Sequence, residues 1–142
     1  METGWTSQDL ALIEAAREII RRRYRHGWHH VGAAVRARSG RVYAAVHLEA
    51  YVGRAAVCAE AVALGMAVAA GEEAVEAVVA VRHPAPGEPD REIRVVSPCG
   101  LCRELISDYS PDAAVLFTEG GLPRRAAVRE LLPARYSRGR EP

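Results

Sequence analysis

Apolar positions along the chain change period several times, and each change marks a new element. Leu12, Ile13, Ala16, Ile19 and Ile20 recur at the spacing of one helix face. Thr6 and Asp9, three apart and just ahead of them, form a capping-box pair that can satisfy the free N–H groups of a helix start. The spacing predicts a helix from there to about Tyr24, broken by Gly27. Arg21, Arg22, Arg23 and Arg25 sit at its end, where cations complement the helix dipole. Residues 31–38 and 41–47 read as two strands around a tight turn at Ser39-Gly40, an antiparallel hairpin. Residues 49–57 are irregular, with Gly53 as a bend.

From residue 58 to residue 70 the pattern is helical again but apolar on most sides, through Val62, Leu64, Met66 and Val68. A helix of that kind is buried, so this one is expected to lie between a sheet and something else, ending at Gly71. Residues 75–81 are a Val-rich run of central-strand type. Pro84, Pro86, Gly87, Pro89 and Asp90 mark an exposed loop, and residues 93–96 lead into a further helix. Pro98 fits the first turn of that helix, which runs to about Tyr109 with Leu101, Leu105 and Ile106 inward. Residues 113–117 form another strand, Gly120-Gly121 turns the chain, and 124–132 are ambiguous. This order predicts an α/β fold with a mixed sheet covered by helices in three layers, α-β-α.

All three cysteines fall in two short motifs, Cys58-Ala59-Glu60 and Pro98-Cys99-Gly100-Leu101-Cys102, each at the start of an expected helix. Cys99 and Cys102 stand three apart, so both sulfurs reach one side of a helix start, where the dipole favours the thiolate. Cys58 opens the other helix. Two N-termini aimed at one point offset part of the charge of three thiolates, and Arg103 is placed to offset more. Three thiolates can hold zinc and leave its fourth position open to water, the catalytic rather than the structural arrangement. Glu60, two residues from a ligand, can then move protons. C-x-E followed by P-C-x-x-C is the motif pair of zinc-dependent deaminases. The competing readings are a redox C-x-x-C pair, a structural zinc site that recruits His29, His30 or His83, and three metal-free buried cysteines. None of them uses both Glu60 and the paired spacing, and a charged side chain on so apolar a helix needs a reason.

Composition narrows the function classes. With 142 residues, 49% hydrophobic and 26% charged, the chain supports a packed core, and 1–142 is read as one domain without repeat or linker. The net charge of +1 and the 6% aromatic content argue against a strand-binding groove for nucleic acid. Arg124, Arg125, Arg129, Arg135, Arg138 and Arg140 are the one feature in its favour. No apolar run reaches the roughly 18 residues of a membrane span. The start METGWTSQDL has no charged region followed by an apolar one. An odd cysteine count without a secretion signal argues against a disulfide framework, so a cytoplasmic location is expected.

The chain resembles the cytidine deaminase superfamily, in its small homo-oligomeric branch that includes blasticidin S deaminase. Val31-Gly32-Ala33-Ala34 is similar to the family's first strand, Ser97 to Glu104 to its S-P-C-G-x-C-R-Q, and Leu131-Leu132-Pro133 to its C-terminal L-L-P. The resemblance implies a five-stranded mixed sheet between helices, and a homotetramer whose active sites borrow residues from neighbours. It implies Cys58, Cys99 and Cys102 as zinc ligands and Glu60 as proton shuttle. Backbone groups of Ala59 and Ser97 would hold the amino and carbonyl edges of a cytosine-like ring. The family's upstream N-x-E pair, which holds the ribose, falls on His47 and Glu49, so the Glu is kept and the Asn is not. The usual Arg after the catalytic Glu is Ala61, and the aromatic expected two residues before Val31 is His29. The expected activity is hydrolytic deamination of a small cytosine nucleoside or analogue, with zinc as cofactor. A non-catalytic zinc or nucleoside-binding module and a polynucleotide cytosine deaminase are the alternatives.

Overall fold

In the computed structural model, which describes residues 2–139, the chain opens with a two-residue strand, β1 (Glu2–Thr3), that no sequence pattern signals. Helix α1 (Ser7–Arg23) begins at the expected capping box. The Asp9 N–H donates to Thr6 Oγ1 at 3.1 Å, and the Thr6 N–H donates to Asp9 Oδ2 at 3.0 Å. The hairpin follows as β2 (Val31–Ala37) and β3 (Val42–Val46), paired antiparallel with Ala34 opposite Ala44. A 3-10 turn at Gly53–Ala55 interrupts the irregular connection to α2 (Ala59–Ala69). Next come β4 (Val75–Arg82), β5 (Arg94–Val96), α3 (Gly100–Tyr109), β6 (Ala114–Glu119) and β7 (Leu122–Ala127). The ambiguous segment thus resolves into β7 and a 3-10 turn, Val128–Leu131.

The mixed sheet has seven strands rather than the expected five, in the order β1-β7-β6-β4-β2-β3 with β5 beside the end of β4, and is parallel only between β4 and β6; β1 and β5 are the short additions. One edge of β4 is covered by β2 along its length. The other is shared: Ala77 and Val78 pair with β6, while Ala80 to Arg82 pair with β5. The chain therefore leaves β5 at the place where the sheet edge changes partner, and runs directly into Ser97-Pro98-Cys99.

Strand residues alternate between two cores, as the pleat requires. On one face Leu12, Ile13, Ala16 and Ile20 of α1 pack on Ala34, Val79 and Leu116. On the other, Ala63, Leu64 and Ala67 of α2 and Ile106 of α3 pack on Val35, Val78 and Val115. At the N-terminus of α2 Ala59 rests on Ala33 and Ala80 of the sheet, with Val31 and Val96 packed at the side. That alanine floor leaves room for a cavity.

Gly32 sets how close α1 lies to the sheet. A Cβ there would stand 2.6 Å from the Ala16 carbonyl oxygen and 2.9 Å from Ile20 Cβ, and a main-chain oxygen cannot swing aside. Gly32→Ala should therefore destabilise the fold by about 1–3 kcal/mol through overpacking. Thermal denaturation checks this, and an unchanged Tm would show that α1 has slack.

Two expectations need correction. Pro98 lies two residues ahead of the first helical residue, Gly100, rather than in the first turn; Cys99 is the N-cap. Leu101 faces outward at 79% exposed. Cys102 and Ile106, four apart, define the inner face of α3, and Leu101 is rotated about 100° from it. Within one chain the outer face of α2 leaves Met66 at 43% and Val68 at 46% exposed.

Candidate active site

Two helix starts converge on one point. Cys58 is the N-cap of α2, Cys99 is the N-cap of α3, and Cys102 lies in the first turn of α3. Their three Sγ atoms all lie within 4.8 Å of one another, and Cys58 Sγ is 3.6 Å from Cys99 Sγ. Tetrahedral zinc with Zn–S bonds of about 2.3 Å needs sulfurs about 3.8 Å apart, so the donor set fits that ion. Cys102 is buried, Cys58 half-buried and Cys99 exposed. Burial pushes the Cys58 thiol up. The Cys102 thiol is driven well above its ordinary value, by burial first and then by the charge of Glu60. Burial acts on Cys99 too, but the Cys102 N–H and the neighbouring thiols outweigh it and hold Cys99 low. A cation among the three removes this conflict, since it favours every thiolate at once.

Arg103, placed by the sequence to offset thiolate charge, is anchored by main-chain oxygens. Its Nε donates to the Pro98 carbonyl at 2.9 Å and its Nη1 to the Leu131 carbonyl at 3.0 Å. It clasps the ligand loop to the 3-10 turn near the C-terminus. The two helix N-termini add their own offset to the thiolate charge.

Glu60, in the first turn of α2, is 5% exposed, and burial raises its carboxyl above the usual range. It borders a cavity of about 240 Å³. Val31, Ala56, Val57, Ala80 and Val96 give that cavity apolar walls. Cys58, Ala59, Glu60, Ser97 and Cys99 line the same space, together with His47. One cavity thus gathers the buried Glu60 carboxyl, two of the three thiols and the Ala59 and Ser97 positions. The apolar walls carry no chemistry-bearing side chain, so sequence reasoning had no signal for them beyond their nearness to the motifs.

His47 reaches the cavity, whereas Glu49 is exposed beside it and is not part of the wall. Their nearest atoms, His47 Nε2 and Glu49 Oε2, are 4.0 Å apart. His47 Nδ1 accepts the His30 N–H at 3.0 Å and the Val31 N–H at 3.4 Å. Burial, followed by the neighbouring His30, lowers the His47 pKa, and Glu49 only partly opposes this. His29 faces the same strand end: its Nδ1–H donates to the His47 carbonyl at 2.8 Å.

The basic residues near the C-terminus are largely paired. Arg124 meets Glu119, Arg125 meets the buried Asp9, Arg129 meets Asp112, and Arg135 meets Glu104 and Asp108. Arg140 lies outside the described residues. Among the described residues no helix is long and apolar enough to cross a membrane.

Known proteins resemble the chain over nearly its whole length. The sequence profile of the cytidine and deoxycytidylate deaminase zinc-binding region matches residues 6–118. Blasticidin-S deaminase of Bacillus cereus is 53% identical over 133 residues, which cover 94% of this chain and 95% of that protein. Among solved structures, cytidine deaminase from Burkholderia pseudomallei superposes with a TM-score of 0.71 at 29% identity, covering 93% of this chain and 100% of that one. Cytidine deaminase from Bacillus anthracis gives 0.75 at 22% identity, covering 89% and 88%, and speaks for the fold alone. With a three-thiol cluster suited to a metal ion opening on a cavity beside a buried carboxyl, the chain belongs to the cytidine and deoxycytidylate deaminase family and is a zinc-dependent deaminase of the cytosine-nucleoside type.

Proposed function

We propose that Cys58, Cys99 and Cys102 ligate the zinc, that Glu60 is the catalytic acid and base, and that the substrate is a cytosine nucleoside, with blasticidin S the first compound to test. The observation that carries this reading is the buried Glu60 carboxyl in the same cavity as the thiol cluster. Zinc held there supplies a Lewis acid that makes water a nucleophile at neutral pH. Glu60 takes the proton released by that water, delivers it to the ring nitrogen and then helps protonate the departing ammonia. The oxygen replaces the amino group, so a cytosine ring plus water gives a uracil ring plus ammonia. Ala59 and Ser97 border the ring end of the cavity, where their main-chain groups would hold the amino and carbonyl edges. His47 and Glu49 would face the sugar end.

Ammonia release from blasticidin S, cytidine, deoxycytidine and free cytosine tests the reading. The identity to the Bacillus cereus relative favours blasticidin S as the preferred compound. No release from any of the four by zinc-loaded protein would remove the activity from this chain. Two alternatives fare worse. A non-catalytic binding module has no use for a buried proton carrier. A polynucleotide deaminase needs unpaired cations along a groove, and Arg124, Arg129 and Arg135 are paired with neighbouring acids.

The working form is a homotetramer of one-domain chains in the cytoplasm. Met66 and Val68 on the open face of α2, and Tyr51 and Val52 on the connection before it, are exposed apolar side chains of the kind that a second copy covers. A cytoplasmic setting keeps three thiols reduced for metal. Light scattering should give four times the chain mass; a monomer across a wide concentration range removes the assembly.

A further inference from the structure

Arg103 donates to three carbonyls, and two of them belong to the loop that carries Cys99. Its main-chain N–H donates to the Cys99 carbonyl at 3.0 Å, in the first turn of α3. Its Nε donates to the Pro98 carbonyl at 2.9 Å and its Nη1 to the Leu131 carbonyl at 3.0 Å. The Pro98 and Cys99 carbonyls belong to the two peptide planes that meet at the Cys99 Cα. One residue therefore holds both planes from which the Cys99 side chain hangs. Cys99 is exposed, so packing does little to hold it.

The third carbonyl lies near the other end of the chain. Leu131 closes the 3-10 turn Val128–Leu131 and packs against the core that contains Cys102 and Ile106. Val128 is fully buried, and its N–H donates to the Ala113 carbonyl at 2.8 Å. A few residues on, the chain returns to α3: Arg135 Nη2 meets Glu104 Oε2 at 3.3 Å and also Asp108, and Nη1 donates to Ser107 Oγ at 3.4 Å. Ala134, just before it, has φ +53°, in the left-handed region; among the described residues no other non-glycine has a positive φ. The segment 131–135 is a strap fastened to α3 at both ends, by Arg103 at one and by Arg135 at the other.

We propose that Arg103 is a positioning residue for the metal centre, and that the strap 131–135 is the anchor against which it holds the Cys99 loop in ligating shape. The proposal rests on the reading of Cys99 and Cys102 as zinc ligands. A guanidinium suits the task because its donors lie in one rigid plane, so holding the Leu131 carbonyl fixes the direction in which Nε meets Pro98. A lysine at this position keeps the charge but has a single flexible point of donation. Without the fork the two peptide planes can turn, and Cys99 Sγ must be ordered anew each time the site closes on a metal.

Zinc release from the loaded protein into excess chelator reads this without any substrate. Arg103→Lys and Arg103→Gln should both release zinc about 10- to 100-fold faster than wild type, the range seen when a group behind a metal ligand is lost. Lysine at the wild-type rate with glutamine fast makes Arg103 a counter-charge and overturns the proposal; so do both at the wild-type rate. The visible spectrum of the cobalt-substituted protein distinguishes positioning from general loosening. Its thiolate–cobalt bands should change in both Arg103 variants, and bands identical to wild type overturn the proposal. Arg135→Gln tests the strap from its far end, through partly solvated contacts on which folding does not depend. Release should quicken about two- to fivefold there, with the metal-free Tm nearly unchanged. Release at the wild-type rate detaches the strap from the site and overturns the proposal even if the Arg103 variants fail to fold. A Cys99→Ser protein that keeps all its zinc overturns the ligand reading and this proposal with it. Arg103 variants that hold zinc as wild type does, beside an empty Cys99→Ser protein, overturn this proposal alone.

Discussion

Glu60→Gln should keep its zinc and its fold and lose turnover by roughly 10² to 10⁴. The amide fills the same space but cannot accept a proton, so the step that depends on a positioned base is removed while the cavity keeps its shape. The control is built into the burial of this residue. Glu60 is 5% exposed, and its carboxyl is held above the usual range by that burial. An acid with a raised folded pKa lowers stability as pH rises through the unfolded value, because the folded state resists its ionisation. Replacing it by a neutral amide removes that cost, so metal-free Glu60→Gln protein at neutral pH should melt no lower than metal-free wild type. Ammonia release, metal analysis and thermal denaturation on one preparation distinguish the cases. Near-normal turnover takes Glu60 out of the mechanism, and loss of zinc or of stability would make it a structural residue.

Cys99→Ser should drop bound zinc from about one per chain to a small fraction, with activity falling in step. Cys99 is the informative position because it is exposed. A serine at the buried Cys102 would also disturb the α3 core, so zinc loss there would mix two causes. At Cys99 only the donor atom changes. Loss of one thiolate from a three-thiolate site should weaken zinc by more than the roughly 10- to 100-fold typical of outer-shell changes. Full occupancy in the variant removes Cys99 from the ligand set.

Much of this arrangement is legible from sequence, because the strongest signals are local. The capping box fixes the start of α1 within the chain's first ten residues, and the two cysteine motifs announce helix starts that the fold then aims at one point. The features that escape depend on distant main-chain atoms. Arg103 reads as a counter-charge because it follows a ligand, yet its partners are the carbonyls of Pro98 and Leu131, the second 28 residues away. The main-chain hold on the His47 ring comes from N–H groups at the start of β2, across a hairpin from it. Strand β1 has two residues and therefore no periodicity to detect. Leu101 misleads because an apolar side chain beside an inward cysteine looks inward too, until the phase of the helix is known.

The two ends of the cavity come from different parts of the chain. The thiols and Glu60 stand on the first turns of α2 and α3, over the alanine floor of the sheet. The remaining wall takes Val31 from a strand end and His47, Ala56 and Val57 from the chain ahead of α2. Heredity can therefore treat the two separately. Substitutions in the connection from His47 to Val57 are expected to alter the wall of the cavity while the thiols and Glu60 pass unaltered to the next generation. The same partition gives the protein engineer a place to cut: residues 47–57 can be exchanged with those of a relative while both helix starts stay in place.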